Sequence, residues 1–112
     1  MIDAVSFKVW FDDAWHTVSL TRDGAPADLV SGGDTDEGFS EEHHHYTFDG
    51  RFVWLESSSY GRDCDGRHES WAEYSCEPAK LESHVTDDGV KVPAWEREGA
   101  SQRDHTAEAA NY

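Results

Sequence analysis

Lysine is scarce in this chain, with only Lys8, Lys80 and Lys91 in 112 residues, and 9 basic side chains stand against 24 Asp and Glu for a formal charge of −15. Affinity for a nucleic-acid backbone comes from clustered cations, so direct binding to nucleic acid is disfavoured. Long apolar runs are missing as well. No stretch reaches the ~18 residues of a membrane helix, and Met1 to Trp10 alternates rather than placing a basic region before an apolar one. The expected location is therefore the cytoplasm, with no membrane contact.

Cysteine occurs twice, at Cys64 and Cys76. If Asp65-Gly66 forms a two-residue hairpin loop, Cys64 sits at its tip and Cys76 far down the strand opposite Leu55, tens of ångströms away at ~3.3 Å per residue. A disulfide needs Cα atoms within about 7 Å, so both are read as thiols of an intracellular protein. Paired metal ligands at short spacing are also lacking. His43-His44-His45 alternates faces in a strand, leaving His43, His45 and Cys64 as the candidate ligands of a metal-binding alternative. Neither a Gly-rich phosphate loop, a nucleophile elbow nor a pair of histidines at helical spacing is present. The chain is read as no enzyme and as carrying no cofactor.

Aromatic residues, by contrast, are plentiful: five Trp, five Phe and four Tyr. Acidic chains that stay unfolded are poor in aromatics, so this one is expected to fold. At this length it should bury roughly two thirds of its unfolded surface around one modest core. Charge itself speaks to solubility and association, and salt adaptation would leave the same acidic composition.

Val5, Phe7, Val9 and Phe11 alternate with Ser6, Lys8 and Trp10, the period of a half-buried strand. A second alternating run, Trp15 to Thr21, carries Val18 and Leu20 on one face and Trp15 on the other, which predicts a hairpin across Asp12-Asp13-Ala14. Residues 23 to 42 hold turn formers, acids and few large apolar groups. They read as a mobile acidic connection, with Ser40-Glu41-Glu42-His43 able to cap a short helix. Asp49-Gly50 and Asp65-Gly66 then mark two further hairpins. With two-residue loops the first pairs Thr47 with Phe52 and Tyr46 with Val53. The second pairs Arg62 with Glu69, Tyr60 with Trp71 and Ser57 with Tyr74. Short strands around Asp87-Asp88-Gly89, His84 to Thr86 with Val90 to Val92, would make a fourth.

The expected fold is all-β or β-rich α+β, an antiparallel sheet of four to six strands built from hairpins. Residues 1–95 form a single acidic domain, and 96–112 form a polar tail. Trp54 and Trp71 share a face with Tyr60 and Phe52, an aromatic stripe that serves either the core or a binding surface.

Ser59-Tyr60-Gly61-Arg62-Asp63-Cys64-Asp65-Gly66-Arg67 and the segment from Ser101 to Tyr112 (Ser101-Gln102-Arg103-Asp104-His105-Thr106-Ala107-Glu108-Ala109-Ala110-Asn111-Tyr112) resemble small acidic proteins encoded by bacteriophages. The resemblance implies an accessory protein acting in the host cytoplasm, of a kind rich in inhibitors of host defence, including anti-CRISPR proteins that imitate nucleic acid. Such a protein would bind a basic, nucleic-acid-handling host partner. The candidate contacts are Asp34, Asp36, Glu37, Glu41, Glu42, Asp63 and Asp65, with Trp15, Trp54 and Trp71 as anchors. A structural, oligomer-forming virion protein is the alternative in another class.

Overall fold

The computed structural model describes residues 2–35, 38–64, 66–82, 85, 87, 89, 91, 93, 95 and 101–109, the last stretch by its backbone. Two antiparallel sheets carry the chain. The smaller is the hairpin of β1 (Ala4–Phe11) and β2 (Ala14–Thr21). Its loop is Asp12-Asp13, with φ of 53° and 59°. Positive φ at both central residues is the type I′ geometry whose twist suits a two-residue hairpin, and Asp tolerates it better than most side chains. The larger sheet runs in sequence order: β3 (Ala27–Thr35), β4 (Gly38–Phe48), β5 (Val53–Asp63), β6 (Gly66–Cys76) and β7 (Ser101–Ala109).

The meander over residues 43–76 forms as its alternation predicts, but both registers differ from those of two-residue loops at Asp49-Gly50 and Asp65-Gly66. The first hairpin closes at Phe48↔Val53, so Tyr46 opposes Leu55 and Thr47 opposes Trp54. Asp49 causes the difference. Its Oδ1 accepts the Arg51 and Phe52 amides at 2.8 and 2.7 Å, its own N–H donates to the Phe52 carbonyl, and Gly50 takes φ 94°. The side chain thus builds a four-residue turn by hydrogen-bonding the backbone two and three residues on. In the second hairpin the last pair is Asp63↔Gly66, the Gly66 amide donating to Asp63 Oδ1 at 3.1 Å. Arg62 therefore opposes Arg67, Tyr60 opposes Glu69, and Trp71 opposes Ser58. Tyr60–Trp71 and Arg62–Glu69 become diagonal neighbours rather than direct pairs. A slip of two leaves every side chain on its expected face, because the strand period is two.

Three expectations need correction. The mobile connection over 23–42 contains β3 and the start of β4, so Ser40–His43 is strand and not helix. Backbone pairing with β4 holds this polar segment extended without apolar alternation of its own. Instead of a loose tail, Ser101–Ala109 runs antiparallel to β6 for the same reason. A five-residue helix, α1 (Pro78–Glu82), follows β6 unannounced. Its signal was Pro78, whose fixed φ and missing N–H suit a first helical turn. At the fourth hairpin site one bridge, Val85↔Lys91, matches the expected register, and its other expected members lie outside the described residues.

One apolar layer holds the sheets together. Phe7, Val9, Val18 and Leu20 from the hairpin pack on Tyr46, Phe48, Val53, Leu55 and Cys76, with Leu81 of α1 closing an end. Trp95 stands edge-on to Phe7 at 6.2 Å and tilted against Tyr46 and Tyr74. The described elements cover one end of the larger sheet. Farther out its inner face turns to Ser31, Glu42, Ser59 and Ser70, and the molecule extends 47 × 28 × 27 Å with a radius of gyration of 15.7 Å. A spherical chain of this length would have a radius of gyration of about 13 Å.

The turn at Asp49 makes a pH prediction. Accepted hydrogen bonds, chiefly from the Phe52 amide and then from the Trp54 indole, hold its carboxyl below the ordinary carboxylate range. A group depressed on folding stabilises the native state above its unfolded pKa of about 3.9, and that stabilisation fades as pH falls through the folded value. Asp49→Ala should cost about 1 kcal/mol in urea unfolding near neutral pH. The gap from the native protein should close on acidification below about pH 4.

Candidate functional site

Alternation in β3–β6 puts one set of side chains under the hairpin and the other set on a face that no described element covers. Rows across this outer face follow from the registers. Asp34, Phe39, Arg62 and Arg67 form the distal row; next come Gly32, Glu41, Tyr60 and Glu69. Val30, His43, Ser58 and Trp71 follow, then Asp28, His45, Glu56 and Glu73. Thr47, Trp54 and Ser75 lie at the near end. On these four strands six carboxylates thus surround four aromatic rings, with Arg62 and Arg67 as their fixed cations, and Arg103 of β7 opposes Glu73 in the β6–β7 register.

Trp54 and Trp71 are 41 % and 45 % exposed, so they lie outside the core. Burial goes instead to Tyr46, Phe48, Val53 and Leu55. Phe39 and Tyr60 contact each other at 5.4 Å between ring centres, and Phe52 meets Trp54 at 6.0 Å. Trp54 is fixed at its polar edge, where Nε1–H donates to Asp49 Oδ2 at 3.0 Å. A flat strand surface with rings standing on it at fixed spacing offers large contact areas whose rotamers are already restricted.

Carboxylates accompany the histidines. His43 Nε2 lies 3.2 Å from Glu41 on the outer face, His45 Nδ1 bonds Asp28 across the β3–β4 pair, and His68 Nε2 lies 3.4 Å from Asp63. His44 points inward, 2.9 Å from Glu42, its ring 4.6 Å from that of Phe11. Consecutive histidines therefore divide between faces as strand geometry requires. Cys64 ends the β5 side while His43 opposes Ser58, six residues back, about 20 Å at 3.3 Å per residue. His43, His45 and Cys64 are thus not brought together. Among the described residues no three His, Cys, Asp or Glu side chains converge as metal ligands.

The expected contact residues scatter. Asp34 and Glu41 share the outer face, whereas Glu42 is on the inner one and Asp63 at the far hairpin tip. Asp36, Glu37 and Asp65 lie outside the described residues. Trp15 is on the other side of the molecule, paired with Trp10 on the outer face of the small hairpin, ring centres 5.3 Å apart and edge-on. Phe39, Glu56, Glu69 and Glu73 belong to the outer face without having been singled out. Their signal was parity, since each shares a strand face with Trp54 or Trp71 once the registers are known.

No helix among the described residues is long and apolar enough to cross a membrane. The chain matches no protein-family description, no curated protein and no solved structure.

Exposure separates function from stability here. Trp71→Ser should shift unfolding free energy by about 0.5 kcal/mol or less, as surface changes do. Tyr46→Ala, at the centre of the core, should cost about 3 kcal/mol or more. Urea titrations of both variants check this, and comparable losses would mean that Trp71 belongs to the packed interior.

Proposed function

We propose that this protein is an inhibitor that acts by binding: its outer sheet face occupies a cationic surface on a nucleic-acid-handling protein of a host cell. The observation that carries the reading is the union, on one face that no described element covers, of Trp54, Tyr60, Trp71 and Phe39 with Asp28, Asp34, Glu41, Glu56, Glu69 and Glu73. At strand spacings of about 4.8 Å and 3.3 Å per residue, the four strands span roughly 600 Å² of sheet plane. That is of the order of the ~800 Å² per partner in a standard protein interface. Rows of carboxylates at regular spacing repel phosphate and attract the arginines and lysines that would otherwise hold it. The resemblance to small acidic phage proteins, anti-CRISPR inhibitors among them, agrees with that chemistry.

Charge and rings divide the work. Opposite fields steer encounter and suppress wrong partners, while desolvated aromatic anchors slow dissociation. A second reading, self-association as a structural protein, has one observation in its favour. Strands β1 and β2 contain no Asp or Glu, and their outer face exposes Trp10 at 53 % and Trp15 at 40 %. In a chain of charge −15 this is a surface on which two copies meet without carboxylates opposed.

Capture from host lysate with tagged protein tests the proposal. A basic, nucleic-acid-binding partner should be retained at low salt and weakened as screening shortens to roughly 8 Å at physiological ionic strength. Glu41→Lys with Glu69→Lys should mainly slow association, and Trp71→Ala should mainly speed dissociation, each read by surface plasmon resonance. A stable oligomer that captures no basic protein would favour the structural reading instead.

A further inference from the structure

Among the described residues the larger sheet ends on one side at β3, whose one strand neighbour is β4. Edge strands present a row of backbone donors and acceptors able to take up another chain. Proteins usually block such an edge with charged side chains, lysine above all, or with proline, a bulge or a very short strand. β3 is nine residues long and contains no lysine, arginine or proline, so its charged side chains, Asp28 and Asp34, are all negative. Val30, at its middle, is 59 % exposed.

Charge selects what this edge admits. Two copies paired antiparallel about Ser31 would set Asp28 of each against Asp34 of the other, and like charges directly opposite destabilise a strand pair. An incoming strand with Lys or Arg at alternate positions meets the reverse situation. At the distal end, Gly33, Asp34, Phe39, Ser40 and Glu41 line an open hollow of about 230 Å³. Asp34, Phe39 and Glu41 are on the outer face, so two carboxylates flank an aromatic ring there. Gly32 stands between Asp34 and the rest of the strand with φ 152°, and a Cβ on it would fall 2.3 Å from the Ser40 carbonyl oxygen. The missing side chain leaves Glu41 uncovered toward the edge. Arg62 and Arg67 stand beyond Phe39 on β5 and β6, and Arg103 is farther still on β7, all away from the β3 edge.

From this juxtaposition we infer that the β3 edge is a strand-addition site for an extended cationic segment of the partner, with a Lys or Arg side chain seated in the Asp34–Phe39–Glu41 hollow. Backbone hydrogen bonds supply the pairing, and alternate side chains supply the selection, as in other modes of strand addition. The inference rests on the binding reading above and specifies how the partner engages.

Four nine-residue synthetic peptides test it by titration calorimetry at low salt against the full chain. One carries lysine at alternate positions with threonine and valine between. Two more have the same sequence N-methylated at alternate residues, one in each of the two frames, so that one of them blocks pairing. The fourth has glutamate for lysine. Expected is binding of the first and of one methylated frame, loss of the other frame by about tenfold or more, and no binding of the glutamate peptide. Hydrogen exchange in β3 should slow on binding, and Asp34→Lys with Glu41→Lys should weaken it by a similar factor. If both methylated frames bind as well as the parent, the edge inference is wrong and only diffuse attraction remains. Failure of every cationic peptide, with a basic host protein still captured through Trp71, would also overturn the inference while leaving the binding reading intact. If no cationic peptide binds and no basic protein is captured, both fall. A dimer formed through β3 in sedimentation would likewise overturn it.

Discussion

Packing of one apolar layer between the β1–β2 hairpin and the near end of the larger sheet is the constraint on which the rest of this structure depends. Neither sheet could persist alone. A two-stranded hairpin is marginal in water, and the meander buries its Tyr46, Phe48, Val53 and Leu55 only because Phe7, Val9, Val18 and Leu20 cover them. Among the described residues twelve hydrophobic side chains are buried, and that number sets the reach of the layer. Beyond it the strands continue with serine, glycine and acids on the inner face, held by backbone pairing and contacts such as Ser59–Ser70.

The same constraint accounts for the exposed rings. With the inner face committed to the hairpin, no described element covers the outer face of β3–β6, and Trp54 and Trp71 stand exposed among carboxylates. Such exposure is the informative departure, because large apolar groups presented together on a surface mark interaction sites more often than isolated ones do. The chain is also polarised. Acids occupy the large sheet and the turns, while β1 and β2 have none, so the two outward faces of the molecule present opposite chemistries to their surroundings.

Asp49 illustrates how one side chain serves both order and surface. It accepts two backbone amides that make the β4–β5 turn and the indole N–H of Trp54 that fixes an exposed ring. A turn residue thereby orients a candidate contact residue on the strand that follows. Asp63 plays a comparable part at the next hairpin, where it takes the Gly66 amide and lies near His68.

Side-chain parity was legible in the sequence alone: Val5 to Phe11, Trp15 to Thr21 and the run from His43 to Cys76 alternate visibly, and alternation assigns faces whatever the register. The antiparallel all-β class followed from it. Register was not legible, because Asp-Gly marks a turn without stating whether a neighbouring carboxylate, here Asp49 or Asp63, will draw the loop toward itself. β3 and β7 were hidden for a different reason. Polar edge strands are made by the hydrogen-bonding rows of β4 and β6, not by their own composition. Whether the tryptophans were core or surface could be decided only by tertiary structure, since the alternation is identical in both cases and the answer depends on which face the first hairpin covers.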